Sequence, residues 1–324
     1  MKKALQRMSL PILNFNLQGP CLLCTHQDPD PDGAGALLAL WHFGKEHYLP
    51  FFACIDHFPN YMNFMPGIEE LQNALPRQLP DSFTLIALDC GQKSRIWPQS
   101  AVEKAENIWN LDHHIDNDAF GAINWVEPDA SSTCEMLYTL MESQGIDRIL
   151  PVSQNLLAGI VFDTGGLRFP NVSMRTMEVA IQLMKDGACL STISDQVFSR
   201  WTRKSFKTLM LALQHLDFFF QDQFLLSWID YASVQHHQLG EEDFEGVVQT
   251  LAQHCSARIV VLIREMEPGV FRGSLRSKKH CTVHDIAQLV GGGGHKLAAG
   301  FSTSKCTARE LRNLLILQAE SKLQ

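Results

Sequence analysis

The chain has 324 residues, 45% of them hydrophobic and 19% charged, which describes a globular protein long enough for two domains and able to bury a large core. A formal net charge of −8 excludes a protein that coats long nucleic acids, because such binding needs many Lys and Arg to neutralise phosphates. No apolar stretch approaches the ~18–20 residues that span a bilayer, and Pro11, Asn14 and Asn16 interrupt any signal-peptide core near the N-terminus, so the expectation is a cytoplasmic protein with no membrane partner.

In chain order, "GPCLLCT" (19–25) is a short apolar run that stops at His26, and helix-like "GALLALWHFGKE" follows. "FTLIALD" (83–89) is a second apolar run ending at Asp89, and "ENIWNLD" (106–112) is a third, followed directly by His113 and His114. "STCEMLYTLMESQG" (132–145) reads as a helix closed by Gly145, and an apolar helix precedes Asp163 in "GIVFDTGGLRF". Short strands alternating with helices predict an α/β domain with a mostly parallel sheet and helices on both faces. The segment 191–215 looks helical and polar enough to connect two domains. Beyond it, "FLLSWID", "ARIVVLIRE" and "FRGSLRS" read as strands and "TVHDIAQLV" as a helix, before "GGGGH" and "AAGFST". The predicted division is therefore 1–190 for a first domain, 191–212 for a helical linker and 213–324 for a second, smaller α/β domain, with the active site in the cleft between the two domains.

Nine cysteines, an odd number, are scattered mostly inside apolar runs, which fits reduced, buried thiols better than a disulfide framework. Cys21 and Cys24 are spaced C-x-x-C, but no second pair follows and the run reads as a buried strand. Cys90 directly follows Asp89 and reads as a structural thiol.

In parallel sheets, ligands gather beyond the carboxyl ends of the strands, and all three apolar runs end there in an acidic residue or a histidine. The first run leads into "THQDPDPDGAG", where His26, Asp30 and Asp32 form H-x-x-x-D-x-D. Pro29 and Pro31 keep this backbone extended, so alternate side chains such as Asp30 and Asp32 share a face. With Asp89, His113 and Asp163, two histidines and four aspartates would meet at one sheet edge. Hard oxygens mixed with imidazoles suit Mn²⁺, with Mg²⁺ as the alternative, rather than a thiolate zinc site. Six such ligands with one bridging carboxylate suffice for two divalent ions roughly 4 Å apart, the arrangement used for in-line displacement at phosphorus.

"LDHH", preceded by H-x-x-x-D-x-D and a strand-end Asp and followed by "DTGG", resembles the DHH phosphoesterase family, and "GGGGHKLAAG" resembles the signature of its associated C-terminal domain. The resemblance runs from about residue 20 to about residue 305. It implies one ion held by His26, Asp30 and Asp89, and a second held by Asp32, Asp89, His113 and Asp163. Asp112 would orient ligands, and His114 would face the substrate and stabilise or protonate the leaving oxygen. Ala36 and Leu167 depart from the family, which often has serine and phenylalanine there.

Between Ser256 and Glu310 nine Lys and Arg stand against four Asp and Glu, so the second domain offers cations where the first offers carboxylates. Gly293 and Gly294 let backbone N–H groups approach a phosphate, Arg276 can grip one bidentately, and Ser277 and His295 can add donors. Arg168 and Asn171 in "GGLRFPN" are further substrate-binding candidates. The resemblance implies a phosphodiesterase acting on short linear oligoribonucleotides or dinucleotides such as pGpG, or on 3′-phosphoadenosine 5′-phosphate, with association as a homodimer allowed. A cyclic-dinucleotide phosphodiesterase is the close alternative. A pyrophosphatase or polyphosphatase, or a nucleotide sensor without catalysis, is the weaker one.

Overall fold

The computed structural model describes residues 19–198, 201–278, 281–294 and 296–323. Two compact units divide between Arg200 and Trp201.

The first unit opens with strand β1 (Cys21–Cys24) and helix α1 (Pro31–Glu46), followed by β2 (Phe51–Ala53) and β3 (Thr84–Leu88). A short helix α2 (Gln99–Lys104) leads to β4 (Asn107–Asp112) and β5 (Ile123–Val126). Helices α3 (Thr133–Ser143), α4 (Leu150–Asp163), α5 (Met174–Lys185) and α6 (Leu190–Phe198) complete the unit. The five strands are parallel, in the order β2-β1-β3-β4-β5. Alternation along each strand splits the core in two. Leu23, Ile86, Leu88 and Leu111 pack with the helices α1 and α3 to α6, whereas Leu22, Cys24, Leu85 and Ala87 face a second cluster that includes Phe83, Ile96 and Ala101. The first face carries the long helices, and the second is covered by α2 and connecting segments. Cys21 and Cys24 fall in these opposite clusters, so the C-x-x-C spacing cannot hold a shared metal.

The chain leaves β1 for β2 on one side and then crosses to β3 on the other. Order therefore reverses between β1 and β3, the switch point at which parallel sheets open a crevice beyond their carboxyl ends. His26 follows β1 and Asp89 follows β3 there.

The second unit contains α7 (Arg203–Gln214), β6 (Leu216–Phe219), β7 (Phe224–Ile229), α8 (Tyr231–His237), α9 (Val247–His254), β8 (Ile259–Glu267), β9 (Val270–Ser277), α10 (His284–Gln288), β10 (Gly293–Gly294), β11 (Ala298–Thr303) and α11 (Ala308–Leu323). Its sheet runs β10-β11-β9-β8-β7-β6, with β7 and β8 parallel and the other pairs antiparallel. Leu226, Val261 and Leu275 pack on α10 and α11 through Ile286, Leu311 and Leu315, and Leu225, Val260 and Leu262 pack on the opposite face against Leu211, Val234 and Leu251. The segment 191–212 holds parts of two helices. Ile193 and Val197 of α6 join the first unit's core, and Leu211 and Ala212 of α7 join the second's. Thr202 restarts the helix through a reciprocal capping pair with Ser205.

Candidate metal centre

Local chemistry fixes each side chain at the sheet edge. Asp30 caps α1. Its Oδ1 accepts from the backbone N–H groups of Asp32 at 2.9 Å and Gly33 at 3.1 Å, and Pro31 supplies a first helical residue with no N–H to satisfy. Oδ2 is left facing Nε2 of His26 at 3.8 Å. Gly33 allows this close start of the helix, since a Cβ there would lie 2.2 Å from Thr25 Oγ1 and 3.3 Å from His26 Nε2.

His26 places Nδ1 2.8 Å from the carbonyl of Gln27. The Nδ1–H that donates there leaves the Nε2 lone pair for a cation. Asp32 is fully buried, with Oδ2 accepting from the Thr133 N–H at 2.7 Å and Oδ1 from the Cys134 N–H at 3.0 Å, both at the N-terminus of α3. Burial, together with the charges of Asp89 and Asp163, pushes its carboxyl well above the usual range.

Asp89 adopts a left-handed backbone, φ 59°, and turns its carboxylate between two groups. Oδ2 lies 3.7 Å from His26 Nε2, and Oδ1 lies 3.7 Å from His113 Nε2 while accepting the Thr133 hydroxyl at 3.0 Å. Burial opposes its ionisation, but the positive charge that His26, His114 and His113 can carry outweighs that and holds the carboxyl well below its usual range.

His113 sets Nδ1 3.4 Å from the Ala130 carbonyl. Its Nε2 is 3.0 Å from Asp163 Oδ2 and 3.8 Å from Asp32 Oδ2, yet this buried nitrogen has no hydrogen bond of acceptable geometry. Asp163 is the last residue of α4, and burial lifts its carboxyl to about 6 against the pull of His113. His26 and His113 are both raised well above the ordinary imidazole range, because nearby carboxylates outweigh a burial effect that acts the other way. The site thus gathers so much negative charge that it holds protons where cations would serve.

Among the described residues, three overlapping sets have ligand atoms within 4.8 Å of one another: His26, Asp30 and Asp89; Asp32, His113 and Asp163; and Asp89, His113 and His114. Asp89 and His113 are each shared by two sets. An orphaned buried imidazole nitrogen, crowded carboxylates and a mixed oxygen–imidazole donor set fit divalent cations. All six sequence-predicted ligands are brought together.

Asp112 is buried at the end of β4 and accepts from His114 Nδ1 at 2.7 Å and from the Asn117 amide. Asn117 also bonds Asn110 Oδ1 at 2.7 Å and the Cys90 carbonyl at 3.1 Å. His114 is lifted to about 9, since the bond to Asp112 and the charge of Asp89 outweigh burial. The Cys90 thiol donates to the Leu88 carbonyl at 3.4 Å, and burial first, then Asp89 and Asp112, push it well above the thiol range. A thiol held protonated in this way is a poor nucleophile. Sequence reasoning gave no role to Thr133, Cys134, Asn110 or Asn117.

In the second unit, Arg276 Nε donates to Gln249 Oε1 at 2.8 Å and Nη1 to the Leu275 carbonyl at 2.9 Å. The Ser277 hydroxyl donates to the Cys281 carbonyl at 2.6 Å. Gly293 and Gly294 pair with Gly300 and Ala299 as an edge strand, so the glycine run is not a linker. His295 lies outside the described residues. In the first unit, Arg168 Nε donates to the Gly165 carbonyl at 2.6 Å, and Asn171 bonds the carbonyls of Ser131 at 3.0 Å and Asp163 at 3.2 Å. Asn171 therefore ties the chain beside Asp163 to the approach of α3.

Residues 20–161 match the N-terminal domain of the DHH family, and residues 222–320 match the DHHA1 domain. Over 288 residues the chain is 30% identical to the bifunctional oligoribonuclease and PAP phosphatase NrnA of Thermus thermophilus, covering 88% of this chain and 84% of that protein. The chain belongs to the DHH family. A Bacillus subtilis protein of the same name is 26% identical over 90% of this chain and 91% of its own length. An exopolyphosphatase-related protein from Bacteroides fragilis has the same fold, with a TM-score of 0.85 at 20% identity over 95% of this chain and 93% of that one. As a DHH-family protein the chain is a metal-dependent phosphoesterase, and of the motifs that carried the resemblance all but DTGG (163–166) fall within the two matched domains. No helix among the described residues is long and apolar enough to cross a membrane.

Proposed function

We propose that this DHH phosphoesterase hydrolyses short linear oligoribonucleotides and dinucleotides such as pGpG, and removes phosphate from 3′-phosphoadenosine 5′-phosphate, with manganese as its metal. The observation that carries the reading is Asp89, whose two carboxylate oxygens face two separate donor groups. His26 and Asp30 would complete one ion's protein ligands, and Asp32, His113 and Asp163 the other's. Divalent ions bound there supply a nucleophile near neutral pH and neutralise charge that develops on phosphorus.

The remaining steps belong to the chain. Asp112 orients the ring of His114 by accepting from Nδ1, and in its charged form that imidazole would donate from Nε2 to the leaving oxygen. Arg276, Ser277, His295 and the backbone of Gly293 and Gly294 would grip the phosphate that is not cleaved, and Arg168 and Asn171 would flank the substrate beside Asp163. The two NrnA relatives support the choice of short oligonucleotides and the bisphosphate nucleotide, and the oxygen–imidazole donor set supports manganese over zinc.

The test is a Mn²⁺-dependent hydrolysis panel of pGpG, RNAs of about two to ten nucleotides, 3′-phosphoadenosine 5′-phosphate, cyclic dinucleotides and pyrophosphate. The reading expects the linear dinucleotides, shortest RNAs and bisphosphate nucleotide to be turned over fastest. Preference for cyclic dinucleotides or pyrophosphate would replace it, and nucleotide binding without any turnover would favour a sensor.

A further inference from the structure

Glu135 has no part in the chemistry described above, yet it is only 4% exposed. Burying a carboxylate is costly unless donors meet it, and three do. Its Oε2 accepts from the Ser131 N–H at 3.2 Å, from the Ser131 hydroxyl, and from the Thr176 hydroxyl at 2.8 Å. Glu135 stands third in α3, where a glutamate ordinarily turns back on the N–H of the capping residue. Ser132 performs its half of that exchange, accepting from the Glu135 N–H at 3.0 Å, but the carboxylate reaches past it to Ser131. The helix cap alone does not call for that reach.

Ser131 lies among the groups that hold one set of ligand candidates. The Ala130 carbonyl before it is 3.4 Å from His113 Nδ1, and the N–H groups of Thr133 and Cys134 after it donate to Asp32 at 2.7 and 3.0 Å. Its own carbonyl accepts from the Asn171 amide, which also bonds the Asp163 carbonyl. Asp32, His113 and Asp163, which form one set, are therefore each tied to residues 130–134 directly or through Asn171. The other set is held elsewhere. His26 leans on the Gln27 carbonyl, and Asp30 on the N–H groups of Asp32 and Gly33. Asp89 belongs with both and meets segment 130–134 through the Thr133 hydroxyl.

We infer that Glu135 is a positioning residue for one of the two metal ions: by pinning Ser131 it fixes the backbone on which Asp32, His113 and Asp163 are oriented. The role presupposes the two ions proposed above. Partners that orient metal ligands typically change affinity by about 10–100-fold when removed. Releasing segment 130–134 therefore weakens the ion assigned to Asp32, His113 and Asp163 and largely spares the ion assigned to His26 and Asp30.

The experiment is calorimetric titration of the full chain with Mn²⁺, with Asp163→Asn as the reference that identifies which transition belongs to the affected ion. Glu135→Ala is expected to raise that ion's dissociation constant roughly tenfold or more, and the other's far less. Glu135→Gln keeps an acceptor in the same place and should recover most of the loss. Thr176→Val removes the third donor without touching 130–134, so it should lower the melting temperature and leave both constants unchanged. Unchanged constants in Glu135→Ala would overturn the role. So would an equal loss at both ions shared by Thr176→Val, which is what simple loosening of the fold produces, or a Glu135→Gln variant no better than Glu135→Ala. A wild type that takes up a single ion would overturn the two-ion centre itself, and the positioning role with it. If Glu135→Ala lacks a cooperative thermal transition, Ser131→Ala replaces it. That variant loses one hydroxyl donor, so the same ion's constant should rise by about threefold or more, and an unchanged constant would count against Glu135.

Discussion

Thr133 Oγ1 donates to Oδ1 of Asp89 at 3.0 Å, and the same residue's N–H donates to Asp32 at 2.7 Å. One residue at the start of α3 thus orients two carboxylates that arrive from α1 and the end of β3. Partners that orient metal-binding carboxylates typically contribute 10–100-fold in metal affinity when removed. Thr133→Val keeps the shape and the backbone N–H but loses the hydroxyl. We expect its Mn²⁺ affinity to fall by roughly that factor, with the thermal transition nearly unchanged. Isothermal titration with Mn²⁺ reads this directly, and wild-type affinity would show that the hydroxyl is a bystander.

Asp89 itself admits a sharper test. If its two oxygens serve two ions, Asp89→Asn should retain the fold, since the amide is nearly isosteric, but leave two cations without a shared anion. Metal analysis should drop from about two ions per chain to one or none, and turnover should fall by roughly a hundredfold or more. A variant with two ions and a near-normal rate would mean that Asp89 is not the bridge.

The parallel sheet was legible because β1, β3 and β4 are apolar runs that stop at His26, Asp89 and Asp112, where buried backbone gives way to polar side chains. The three-residue β2 and the four-residue β5 were not, because partly exposed strands of that length show no period. Strand β6 was hidden in a segment with helical spacing whose end, Leu216–Phe219, is turned into a strand by pairing with β7. The six ligand candidates could be read from short motifs at strand ends. Thr133 could not, since its contacts with Asp89 and Asp32 span 44 and 101 positions and Ser-Ser-Thr before a helix looks like ordinary capping. Ser132 indeed caps α3, its side chain accepting from the Glu135 N–H.

Metal binding should depend on pH with a definite sign. Imidazoles bind cations only when neutral and carboxyls only when ionised. His26 and His113 hold their protons well above the ordinary range, and Asp163 holds its own up to about 6, so a cation must displace them. Affinity is therefore greatest above those values and is lost as pH falls through them. We expect the apparent Mn²⁺ dissociation constant to rise by roughly tenfold or more from about pH 8 to about pH 6, with protons released on binding. Titrations in buffers of different ionisation enthalpy measure the release, and none at neutral pH would contradict the assignment.

The glycine run separates packing from binding. A Cβ at Gly292 would lie 2.2 Å from the Gly300 carbonyl and 2.5 Å from Phe301 Cβ, whereas a Cβ at Gly293 would meet nothing within 4 Å. Gly292→Ala should cost about 1–3 kcal/mol through overpacking and lower the melting temperature by several degrees. Gly293→Ala should melt like the wild type and yet raise KM for a dinucleotide, if a phosphate lies against that backbone. An unchanged KM would remove Gly293 from the binding surface.

Arg276 lies in a different structural unit from every metal-ligand candidate. Its guanidinium is pre-oriented by Gln249 and the Leu275 carbonyl, which lessens the entropy lost on gripping an anion. Burial lowers its pKa, but guanidinium remains charged at neutral pH, so an anion meets a partly desolvated cation there. If Arg276 grips phosphate while the first unit's residues carry the chemistry, Arg276→Ala should leave metal content intact. Loss of one charged contact removes about 1.5–3 kcal/mol, or roughly tenfold to a hundredfold in affinity, so KM for pGpG should rise by that factor. Bis(p-nitrophenyl) phosphate has no terminal phosphate to grip and should be hydrolysed almost as before. Equal losses on both substrates, or loss of metal, would place Arg276 in the reaction centre instead of a separate clamp.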